Sequence, residues 1–201
     1  MPKTKIWILV LLCAAGLMLV SCGQPKYRLR ITMDESGYFP VDVARWSQYK
    51  DASGDVIFSY TVDDAVASIK VAYIGSIDEL PTYPDHAIQL TSYKVTYKPS
   101  NNLQPVSGGL DQILDADPTG KTTVTFPVVV VPAGFKDSAT VLSDLRGDPS
   151  VDDPNPFVGQ LILKGTITVT GTDLTTGEQN INGSVDFTAA FADYLDPNKA
   201  H

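Results

Sequence analysis

The chain has 201 residues, with 23 acidic against 15 basic side chains and a net charge of −8. An acidic surface repels phosphate backbones, which excludes nucleic acid as an expected partner. Two cysteines, Cys13 and Cys22, are too few for a disulfide scaffold.

At the start, Lys3 and Lys5 precede an apolar run over 6–20, and small Ser21 precedes Cys22. A positive start, a short apolar stretch and a small residue make up a secretory signal. The run is short for a membrane-spanning helix, which needs about 20 residues. Leu19-Val20-Ser21-Cys22 resembles the lipobox of bacterial lipoproteins, a resemblance covering about the first 22 residues. It implies diacylglyceryl attachment to the Cys22 sulfur, cleavage before Cys22 and acylation of the new amine. Two or three acyl chains hold a membrane stably. Gly23 stands where an Asp would imply inner-membrane retention, so the outer membrane is favoured if the host is Gram-negative.

On this reading 1–21 is a signal helix removed on export, 22–26 a lipidated tether, 27–194 one folded domain and 195–201 a tail. The mature chain keeps 13 basic and 23 acidic side chains, and no thiol besides Cys22. Its acids are 20 Asp and only 3 Glu. Asp favours turns and Glu favours helices, so the skew points to strands joined by polar turns.

The strand signals follow in order. Residues 27–33 alternate Leu29, Ile31 and Met33 with polar neighbours, the period of a half-buried strand. Segments 55–62 and 67–74 read as two more, separated by Asp63-Asp64. In 88–97, Tyr93, Val95 and Tyr97 share a face and Leu90 falls on the other parity, which predicts a bulge near Thr91-Ser92. In 122–131, Val124, Phe126, Val128 and Val130 point inward. Pro127 then points outward and donates no N–H, which suggests an edge or a bulge. A short helix is expected over 138–146, with Ser138 as N-cap and Gly147 as stop. Segments 99–120 and 147–156 read as long loops.

The tail carries the clearest pattern. Leu161, Leu163, Ile167 and Val169 share one parity; Ile181, Val185, Phe187, Ala189 and Phe191 repeat it after the turn-rich "GTDLTTGEQ". This is a β-hairpin. Glycines recur every six residues from Gly159 to Gly183, a period also found in β-helices. The residues before them are not regularly aliphatic, so the period is read as placing Gly165, Gly171 and Gly183 on the inward parity, leaving room for aromatics of a facing sheet.

Chemistry is sparse. GxSxG, HExxH, GxGxxG and phosphate-loop motifs are all missing. His86 is the one interior histidine, too little for an expected hydrolase. Asp115 and Asp117, in "DADPTG", begin like a calcium loop but lack its later ligands. Together with Asp148, Asp152 and Asp153 they are the weak metal candidates, weighed against solvated turn acids. Trp46 and Tyr49, in "ARWSQYKD", are the weak ligand candidates, because paired aromatics stack on sugars. Three residues apart, they share a face only in a helix.

The expectation is therefore an all-β, antiparallel β-sandwich of seven to eight strands, immunoglobulin-like, with no catalytic centre and no cofactor. The body is similar to immunoglobulin-like lipoproteins, and that likeness implies no activity. Membrane contact comes through the anchor, and the further partner is an envelope protein or a glycan. A carbohydrate-binding module, calcium-dependent or not, is the alternative; an envelope hydrolase comes third.

Overall fold

The computed structural model describes residues 28–33, 37–74, 87–98, 103–115, 121–138, 140–153, 156 and 158–194. Of these, 64% lie in strands and 7% in helices, so the chain is mostly β. A three-stranded sheet runs in the order β1 (Arg28–Met33), β5 (Ala65–Ile74), β8 (Thr123–Val131). A five-stranded sheet runs β2 (Tyr38–Asp42), β10 (Ile181–Ala192), β9 (Leu161–Asp173), β6 (Ala87–Lys98), β7 (Val106–Asp115). A separate hairpin pairs β3 (Arg45–Lys50) with β4 (Val56–Thr61). All neighbours are antiparallel except β2, which runs parallel to β10.

One apolar core joins the inner faces of the two larger sheets. Alternation alone selects the faces: in β5, Ala65, Ala67, Ile69, Val71 and Tyr73 are buried while Val66, Ser68 and Lys70 are exposed. β9 and β10 form the expected hairpin, with Val169, Phe187 and Phe191 buried and Asp186 exposed. The expected bulge is also present, since the register of β6 shifts between Leu90 and Ser92. Exposed Pro127 lies on β8, at the margin of its sheet, where a missing N–H costs no ladder bond.

Three expectations need correction. Among the described residues there are ten strands, because β2, β3 and β7 also form. β7 lies within 99–120, read above as a loop. The helix expected over 138–146 starts earlier, as α1 (Ala133–Ser138) followed by α2 (Thr140–Ser143). Ser138 closes α1 rather than capping a helix: its hydroxyl donates to the Gly134 carbonyl at 2.6 Å. The entry is instead capped by Asp64, whose Oδ1 accepts from the Ala133 N–H at 2.7 Å.

Tyr97 ties the sheets together across the core. Its hydroxyl donates to the Val130 carbonyl of β8, and its ring meets Phe187 and Phe191 at 6.2 and 6.3 Å. Burial pushes the phenol above its ordinary range. In the unfolded chain it ionises near pH 10, while the folded phenol keeps its proton. Above about pH 10 the folded state therefore binds more protons, and stability falls as pH rises. We expect the urea midpoint to drop between about pH 9 and pH 11, and Tyr97→Phe to show a smaller drop. Equal drops in the two proteins would assign alkaline loss to other groups.

Candidate functional site

The β3–β4 hairpin stands apart from this body. None of its twelve strand residues is buried, whereas every other strand contributes to the core. Its turn is built by Asp51, whose Oδ1 accepts from the N–H groups of Ser53 and Asp55 at 2.8 and 2.9 Å. Register puts Trp46 opposite Tyr60, Gln48 opposite Phe58, and Tyr49 opposite Ile57. Tyr49 and Tyr60 are 51% and 42% exposed.

Aromatic contacts fix the hairpin at its root. The Trp46 and Tyr60 rings meet edge to face at 5.1 Å. The Arg146 guanidinium lies 4.2 Å from the Tyr60 ring centre and donates to the Lys136 carbonyl and to Asp137 Oδ1. Trp46 Nε1 donates to Asp193 Oδ2, just past β10, at 2.9 Å. The hairpin is thus held between the helical crossover and the end of the last strand.

Beside this root lies a cleft of about 310 Å³, lined by residues of β2, the hairpin root, the β4–β5 turn and α1. Lys136 lines it and is only 4% exposed, and lysine is almost never this buried without partners. Its Nζ donates to the Asp42 carbonyl. Burial holds the ammonium below its ordinary range, with Arg45 acting the same way and Asp42, Asp63 and Asp64 opposing. Arg45 pairs with Asp63 at 3.3 Å on the rim. A second depression of about 380 Å³ includes Lys98, Lys164, Thr166 and Asp186. Those four side chains project from the outer face of the five-stranded sheet, and Thr166 and Asp186 bond to each other, so it holds no buried charge.

Trp46 and Tyr49 fall on a strand, three residues apart, and so on opposite faces. They form no shared stacking platform, and Trp46 is already engaged by Tyr60 and Asp193. Asp115 ends β7, exposed; Asp148, Asp152 and Asp153 are exposed in the loop after α2, where the Ser150 hydroxyl accepts from the Asp153 N–H. Among the described residues no three His, Cys, Asp or Glu side chains come together as a set able to hold a metal ion. Cys22, His86 and Asp117 lie outside the described residues. Among the described residues no helix is long and apolar enough to cross a membrane.

Lys136, Tyr60, Arg146 and Asp193 escaped the sequence reading. A helix start directly after Pro132 was the available signal, since proline suits a helix entry.

No protein-family model matches the chain, and no curated protein does. Among solved structures it is similar to the solution structure of a late embryogenesis abundant (LEA) protein. The identity is 15% and the TM-score 0.40, over 94% of this chain and 86% of that one. A likeness this loose says nothing about what the chain binds.

Proposed function

We propose that the chain is a lipid-anchored, non-catalytic binding module of the bacterial cell envelope, displaying its binding surface at the pole away from the anchor. The observation that carries this is the β3–β4 hairpin, an aromatic arm with no buried strand residue. Strand order supports the finer reading of the body as an immunoglobulin-like sandwich. With the hairpin set aside and strands lettered in chain order, one sheet reads A-B-E and the other A′-G-F-C-C′. The hairpin is then an insertion between A′ and B.

The geometry of β5 supports the polarity. Ile74, at its end, pairs with Arg28, the first residue of β1; Ala65, at its start, follows the hairpin root. Ten residues of strand separate these poles by about 30 Å. Cys22 precedes Arg28 by six residues, a reach of at most about 20 Å. An anchor at Cys22 would stay within that reach of the Ile74 pole, with the hairpin root at the opposite one, which supports the reading.

Cys22→Ala tests the anchor. The variant should lose acyl labelling and leave the membrane fraction, or accumulate as uncleaved precursor. Undiminished labelling would sink the proposal.

A further inference from the structure

We propose that the cleft beside Lys136 binds a small zwitterion of the α-amino-acid class, its carboxylate on Lys136 and its ammonium against Asp63 and Asp64. The inference deepens the binding-module reading and rests on it for the use made of the cleft.

It starts from unmet bonding capacity. An ammonium offers three N–H donors. Among the described residues the one acceptor that Lys136 finds is the Asp42 carbonyl, which leaves two donors beside a cleft of about 310 Å³. A buried charge that keeps spare donors is costly unless something supplies acceptors. The same cleft also offers acceptors. Asp64 spends Oδ1 on the Ala133 N–H and Asp63 spends Oδ2 on Arg45, so each carboxylate retains a second oxygen. Asp63 and Asp64 also raise the affinity of Lys136 for its proton, which places both within electrostatic range of it.

The charge balance selects the ligand. A simple anion meets Lys136 and Arg45 but also three carboxylates, Asp42, Asp63 and Asp64; a simple cation meets the reverse. A molecule with both charges a few ångströms apart satisfies both sets. Apolar Val41, Ala44 and Ala65 line the same cleft, next to the charges. They lower the local dielectric and strengthen both contacts.

The test titrates the full chain in detergent with glycine, and separately with acetate and methylammonium, following Lys136 side-chain signals and nearby amides by NMR. Glycine should give saturable shifts up to about fivefold tighter than either singly charged analogue, the effect of one partly screened ion pair. Asp64→Asn keeps Oδ1 as an acceptor for Ala133 and removes only the charge. It should bring glycine down to the level of acetate. Lys136→Met should abolish saturation, but it also removes the bond to Asp42, so Asp64→Asn is the deciding variant. Glycine binding no tighter than acetate, or unchanged in Asp64→Asn, would overturn the proposal. The titration reads the cleft wherever the chain sits, so its failure leaves the Cys22 anchor standing. Equally, an unacylated Cys22 would leave the cleft standing.

Discussion

Phe187→Ala should destabilise the domain by about 3–5 kcal/mol, the range for truncating a buried phenylalanine. Phe187 is 3% exposed, and its ring meets Phe39 at 6.5 Å and Tyr97 at 6.2 Å. It also covers Gly165, its register partner on β9, where any Cβ would overlap the ring. Removing the ring therefore opens a void beside a residue with no side chain to fill it. With an m-value of about 2 kcal/mol/M, the urea midpoint falls by about 2 M. Asp186, one residue earlier, is exposed, and its carboxylate accepts from the Thr166 hydroxyl. Asp186→Ala should cost about 1 kcal/mol or less. Equal midpoints for the two variants would mean that the faces of β10 are assigned wrongly.

The second large effect is expected at Gly183. A Cβ there would overlap the Leu29 carbonyl oxygen and lie 2.8 Å from its carbon. The obstacle is backbone, so no rotamer change relieves it, and β1 must move away from β10. Gly183→Val should cost at least the roughly 1–3 kcal/mol typical of overpacking. Gly109→Val is the control, because a Cβ at Gly109 meets nothing within 4 Å. Thermal melts should separate the two variants. Amide exchange should show faster opening in β1 than in β6 for Gly183→Val. A melt equal to that of Gly109→Val would mean that β1 does not close on β10.

These two glycines show how far the sequence could be read. Their inward parity was legible, because an even spacing preserves strand face. What they accommodate was not. Gly165 makes room for a ring on the neighbouring strand rather than a facing sheet, and Gly183 makes room for the backbone of β1. The long alternations of β5, β9 and β10 were legible because burial on one face imposes a period of two. β2 was hidden by Pro40 and β7 by Gly108-Gly109, which break propensity; each is the outermost strand of its sheet, where such residues are tolerated. β3 was hidden because a strand with no buried side carries no apolar alternation. For the cleft, local pattern had nothing to say. Lys136 is buried only because α1 closes against β2 and the hairpin root, which lie far apart in the chain.

The parallel pairing of β2 with β10 has a mechanical meaning. From Arg28 the chain runs down β1 in one sheet, crosses to the other, and runs down β2 to the hairpin root. A pull between the segment before Arg28 and a partner held at the hairpin acts along both strands. Their ladder bonds are then loaded together in shear, instead of opening one at a time as in a peeled hairpin. The first two strands are oriented to carry tension from one pole to the other, so a pull between those two points would load the β1–β5 and β2–β10 ladders in shear.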